Sequence, residues 1–135
     1  MIRNLAIAII AAGSLAACDE AASSPNNGAT FVVQVEDEQF RVRLEDAATI
    51  AQARALIANG QQKNVNGEIA RGSGGFNTGY SWHLRPATVA FADVTIELCD
   101  GMPSYVEENV DYYVDTVKQY CPWGVRIVSE VGTQQ

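Results

Sequence analysis

The sequence predicts an α+β domain: a mainly antiparallel sheet of about five or six strands, two helices and one disulfide. Three observations lead there. Apolar and polar residues alternate in short segments (residues 31–35, 39–44 and 124–131), the period of a half-buried strand. Two further segments carry apolar residues at helical spacing behind a capping residue. Cys99 and Cys121 frame the second of these, one ending a strand and the other preceding one. A chain of 135 residues, 47% apolar and 19% charged, has globular composition and room for one domain.

In chain order, FVVQV (residues 31–35) and QFRVRL (39–44) read as two strands joined across Glu36, Asp37 and Glu38. This hairpin lacks the Asn-Gly or Asp-Gly turn signal. Asp46 suits the N-cap of a helix over 47–58, with Ile50, Ala53 and Ile57 on one stripe and Gly60 ending it. Asn64–Arg71 is a strand weakened by Gly67, and GSGGFNTG (72–79) is a glycine-rich loop. Trp82–Leu84 is a strand stopped by Pro86. TVAFADVTIEL (88–98) reads as a strand whose apolar parity slips near Ala92 and Asp93, which implies a bulge. Ser104 and Glu107 have capping-box spacing and open a helix to Val117, with Val106, Val110, Tyr113 and Val117 as its apolar stripe. GVRIVSEV (124–131) is the last strand.

The first 17 residues read as a processing signal. Arg3 sits in a short n-region, and LAIAIIAAGSL (5–15) is an apolar run of eleven residues, whereas a membrane-spanning helix takes about 20. Leu15-Ala16-Ala17-Cys18 resembles the lipobox of bacterial lipoproteins. That resemblance implies a lipidated Cys18 after cleavage, with acyl chains replacing the leader as anchor. The alternative is ordinary secretion with an incidental cysteine. Asp19 and Glu20 after the cysteine lean toward inner-membrane retention facing the periplasm, with the outer membrane as the other possibility. Residues 18–30 (CDEAASSPNNGAT) then form the lipidated cysteine and a flexible tether spanning about 20 Å. Residues 31–135 form the single domain.

With Cys18 assigned to the anchor, Cys99 and Cys121 remain as a pair in an oxidising compartment, and a structural disulfide follows. Neither lies in C-x-x-C, and one histidine is too few for a zinc site.

The segments Asn77, Ser81-Trp82-His83-Leu84-x-Pro86, Glu97-x-Cys99-Asp100-Gly101, Val106-Glu107 and Cys121-Pro122-Trp123 resemble the N-terminal domain of the cAMP-inducible prespore protein family. The likeness runs over about residues 31–131 and includes the Ile50-Ala51-x-Ala53-Arg54 helix. It departs from the family at Thr78, often proline there, and at Gly124, often serine. The resemblance implies a shared domain and no particular activity.

Sixteen acids against nine bases give a net charge of −7, and removing the leader leaves 8 bases against 16 acids, −8. No basic stripe offsets this, so nucleic acid is not expected as a partner. RGSGG is neither a nucleophile elbow nor a P-loop, and no cofactor is expected. The leading expectation is a membrane-tethered, non-enzymatic binding or interaction module of the bacterial envelope, taking an envelope protein or a small ligand. Asn77, Trp82, His83 and Trp123 are its candidate binding surface. The second is a hydrolase using His83 as general base with Glu97 or Asp100. The third is a calcium-stabilised, adhesion-like domain, with Glu97, Asp100 and Glu107 as oxygen ligands. His83 on a strand is more simply a packed residue, and a carboxylate-lined helix is more simply a solvated face.

Overall fold

The alternation at the start of the domain builds a hairpin. A computed structural model describes residues 28–132; the leader, Cys18 and most of the tether lie outside the described residues. β1 (Ala29–Val35) and β2 (Glu38–Leu44) pair antiparallel with Val35 opposite Glu38, so Glu36 and Asp37 form a two-residue loop. Such a loop needs a positive φ, and Glu36 supplies it at +53°. β7 (Val125–Val131) joins the other edge of β1, with a bulge between Val32 and Val33, giving the order β2-β1-β7. One face of this sheet buries Phe31, Val33, Val35, Phe40, Val42, Leu44, Val125 and Ile127.

The second sheet is organised around β3 (Asn64–Arg71). β4 (Trp82–Leu84) pairs with its C-terminal half and β5 (Ala90–Ala92) with its first three residues, while β6 (Gln119–Tyr120) pairs at Gly67 and Glu68. Gly67 is where the strand is packed most closely, because a Cβ there would meet Leu84 side-chain atoms at 3.3 Å. The pairs are all antiparallel and the two sheets share one core. The α+β class and the disulfide are as expected. The strands among the described residues number seven, because a two-residue strand such as β6 leaves no periodicity to read.

α1 (Ala47–Asn59) starts at Asp46, whose carboxylate accepts from the Thr49 N–H at 2.8 Å, and ends at Gly60 with φ +62°. It lies on β7 and buries Ile50, Ala53 and Leu56. Leu56 thus takes the place expected for Ile57, which is half-buried at the margin.

Two expectations are overturned. The first is the strand over 88–98, of which only β5 is strand. Ala92 already pairs with Asn64, the first residue of β3, so the ladder has run out of partners. Beyond it, Val94, Ile96 and Leu98 are 78%, 62% and 60% exposed, and the chain coils into a single turn at Glu97–Cys99. The second is the capping box and the continuous helix to Val117. The helix starts two residues earlier, with Met102 in place of Ser104 at the N-cap and Pro103 in the first turn. Ser104 donates from N and Oγ to the Glu38 carboxylate at 2.7 and 2.6 Å, while Glu107 accepts from Ser81 N and Oγ, both at 2.9 Å. Both side chains are spent on groups outside the helix, in β2 and just before β4. The result is α2 (Pro103–Glu108), a break at Asn109, α3 (Val110–Tyr112) and a π-turn over Tyr113–Val117 closed by Lys118 at φ +67°.

Candidate functional site

The three most exposed large apolar side chains, Val94, Ile96 and Leu98, lead up to Cys99, and covalent and polar ties join their segment to the one that carries Trp123. The Cys99–Cys121 disulfide, with Cα atoms 5.1 Å apart, is buried. Around it, Cys121 N–H donates to Cys99 O at 2.8 Å and Thr95 Oγ1 donates to Cys121 O at 2.8 Å. Pro122 is buried, and the Trp123 N–H donates to Asp100 Oδ1 at 2.9 Å. Gly124, at φ +66°, turns the chain into β7. Held in this way, the Trp123 side chain stays half exposed.

Trp123 borders a groove of about 260 Å³ that is also lined by Gln62, Lys63, Asn64, Ala92 and Asp93. A second hollow of about 430 Å³ shares Gln62, Lys63 and Asp93 and reaches Gln52 and Leu56 on α1. Lys63 Nζ contacts Asp93 Oδ1 at 2.5 Å, so the two charges of the groove cancel each other. Gln62 bridges to Arg126 of β7 through the backbone, which pins the start of this segment. Val94, Ile96 and Leu98 follow directly on Asp93.

The candidate binding surface does not assemble as expected. Asn77 is fully buried: its Oδ1 accepts from Arg41 N at 2.8 Å and its Nδ2 donates to Trp82 O at 2.9 Å. It ties the glycine-rich loop to β2 and β4. Trp82 is also fully buried, against Phe40, Tyr80 and Tyr120. Its indole N–H finds no acceptor among the described residues, and the Tyr120 ring meets it edge-on at 74°. Both residues are core, because a small domain has few large side chains to fill it. Of the four, Trp123 and the half-buried His83 reach the surface.

His83 points away from the Trp82 side of β4. Its Nδ1 donates to Gly72 O at 2.7 Å, and its ring stands edge-on to Phe76. A Cβ on Gly74 would come within 2.9 Å of that ring, so the loop glycine allows the close packing. The histidine's hydrogen bond therefore goes to backbone, and Asp100 is committed to Trp123. Nor do Glu97, Asp100 and Glu107 assemble as cation ligands. Glu107 is turned to Ser81, and among the described residues no group of three His, Cys, Asp or Glu side chains is arranged to hold a metal ion. Sequence spacing brings these acids near one helix, but Asp100 turns to the Trp123 N–H and Glu107 to Ser81, which divides them.

Two tyrosines hold the loop under Trp123. Tyr113 and Tyr120 donate their hydroxyls to Asp100 O and Gly101 O. Burial, with the charges of Tyr105 and Asp100 as lesser causes, pushes the Tyr113 phenol up to about 12. Burial raises Tyr120 further.

A larger groove of about 800 Å³ lies between β3 and the π-turn, lined by Asn66, Glu68, Arg85, Thr88, Lys118 and Gln119. Much of its polarity is already used. Arg85 pairs with Glu68 at 3.0 Å, and Thr88 Oγ1 donates to Arg85 O while accepting from Glu68 N. The Trp123 groove carries the exposed aromatic and is the better candidate.

The family model described as the BP-74 N-terminal domain matches residues 27–134. The chain belongs to the BP-74 N-terminal domain family. The match spans both sheets, the disulfide and the Trp123 end, and it supports the resemblance read from residues 81–86, 97–101 and 121–123. The chain finds no match among curated proteins, nor among solved structures. Sequence reasoning singled out Trp123 but missed its groove partners Gln62, Lys63, Asn64 and Asp93. Nothing local marks them, since an amide or an ion pair beside a strand end is ordinary surface chemistry.

Proposed function

We propose that this chain is a lipid-anchored protein of the bacterial envelope whose domain is a non-enzymatic binding module. In this proposal Cys18 carries the acyl chains, residues 19–30 are the tether, and the inner membrane facing the periplasm is the favoured address. The contact surface is the Trp123 end. The observation that carries this is a half-exposed tryptophan and three exposed aliphatic residues on two segments that a disulfide and the Asp100 carboxylate join. Exposed apolar side chains gathered in one place mark interaction sites, whereas single ones do not. Fixing them in advance lowers the ordering cost of binding.

The sheet register supports an outward-facing surface. Val35 of β1 pairs with Val125, two residues after Trp123, while Ala29 lies at the other end of β1. The tether therefore enters about 20 Å from the Trp123 end. No helix among the described residues is long and apolar enough to cross a membrane; in this proposal the acylated cysteine supplies the anchor.

Two measurements test the proposal. Cys18→Ser should block lipid labelling and release the protein from membranes; a variant that stays membrane-bound removes the anchor. A photo-crosslinking residue at Leu98 should give a discrete adduct in intact cells, while the same residue at Ala58, on α1, should not. No adduct from Leu98 removes the Trp123 end as the contact surface.

A further inference from the structure

We infer that the Trp123 groove binds a neutral oligosaccharide. This deepens the proposal above and rests on its choice of the Trp123 end as the contact surface.

The argument is one of chemical complement. A sugar ring offers two kinds of surface: a face of C–H bonds, which stacks on an aromatic plane, and a rim of hydroxyls, which both donate and accept hydrogen bonds. Trp123 supplies an indole half open to solvent, and it is held in place on its backbone side. Gln62 and Asn64 sit in the same groove. A carboxamide is the side chain that donates and accepts at once, as a hydroxyl pair requires. Neither amide side chain makes a hydrogen bond within the described residues. The amides that serve the fold, Asn77 and Asn109, are bonded to backbone.

Charge narrows the class further. The groove's one cation, Lys63, and its one nearby anion, Asp93, are paired with each other at 2.5 Å. No uncompensated charge is left for a phosphate or a carboxylate to meet. The chain's excess of acids over bases also disfavours a polyanion. Size agrees as well: the groove of about 260 Å³ has the hollow of about 430 Å³ as its neighbour, the two sharing Gln62, Lys63 and Asp93 in their linings, so the surface offered is larger than one sugar ring.

The test uses the protein without its leader and two soluble probes, chitotetraose and cellotetraose. The chain's two tryptophans divide the signal: Trp82 is buried, so a ligand-dependent change in emission reports on Trp123. A saturable change with Kd below about 1 mM is expected for at least one probe. Binding of chitotetraose alone assigns the amides to an N-acetylated sugar, and equal binding of both assigns them to ring hydroxyls. By calorimetry, Gln62→Ala with Asn64→Ala should weaken binding at least about tenfold. Their emission spectrum and melting temperature should stay at the wild-type values, since neither side chain is bonded to the fold. No saturable change with either probe up to about 10 mM overturns the inference, as does binding that the double variant leaves intact. A Leu98 adduct with neither sugar bound leaves the contact surface standing and removes the oligosaccharide. Loss of both removes both.

Discussion

The backbone N–H of Trp123 donates to the side chain of Asp100 at 2.9 Å, across the two ends of the disulfide loop. A carboxylate holding a main-chain donor is a charge-assisted bond, and it fixes the one half-exposed tryptophan. Asp100→Ala should cost about 1–2 kcal/mol and lower the melting temperature by about 4–8 °C. Trp123 emission should move to the red as the indole gains freedom, while Asp100→Asn, which keeps an acceptor, should lose less. An unchanged spectrum in Asp100→Ala would mean that the disulfide alone positions the indole.

Asn77 should be the least replaceable polar residue of the domain. Asn77→Ala strands the buried Arg41 N–H and Trp82 carbonyl and opens a small void, at a cost of about 2–4 kcal/mol. Urea unfolding should show a lower midpoint with an unchanged slope. A midpoint within error of wild type would sink this role.

The disulfide closes a separation of 22 residues, and in the chain-entropy model it stabilises by about 3 kcal/mol. Cys99→Ser combined with Cys121→Ser should melt lower by well over about 5 °C. The same double variant should also lose any ligand response of Trp123, because Thr95, Cys121 and Trp123 are tied through it. A double variant with native stability would contradict this.

Acid should destabilise the domain through specific carboxylates. Glu130 is held below the usual carboxylate range by its two hydrogen bonds from Arg54, and Asp46 by the Thr49 N–H. Their folded values lie below the unfolded ones, so their stabilisation is present above about pH 5 and lost as pH falls through the folded values. Glu130→Gln should flatten the decline in melting temperature between about pH 5 and pH 2. An unaltered decline would assign acid sensitivity elsewhere.

Alkali should act in the opposite direction, through Tyr113. Its phenol ionises near 10 when unfolded and about 12 in the fold, so its neutral-state stabilisation is intact below about pH 10 and fades toward pH 12. Tyr113→Phe should be less sensitive to alkali across that window than the wild type. Equal loss in both would show that another group governs it.

Local physics made much of the fold legible. Strand alternation, the Asp46 cap, the Gly60 stop and the lone cysteine pair each depend on residues close in sequence or on a simple count, and each holds in the structure among the described residues. The family resemblance, too, was carried by short segments. Other outcomes depend on which partner arrives from far along the chain. Val94, Ile96 and Leu98 carry a strand's apolar pattern yet face solvent, because β3 begins only at Asn64, the partner of Ala92, and offers no further ladder. Ser104 and Glu107 have a cap's spacing yet serve Glu38 and Ser81, because the helix begins at Pro103 and leaves Ser104 inside its first turn. Asn77 and Trp82 could have been surface residues by type and are core by packing, whereas Trp123 is held outward by Asp100. Sequence alone determined the first hairpin, the Asp46-capped helix and which cysteines would pair. Tertiary structure decided which apolar side chains stayed in water and which amides gathered around Trp123, because burial and hydrogen-bond partnership are settled between distant segments rather than within them.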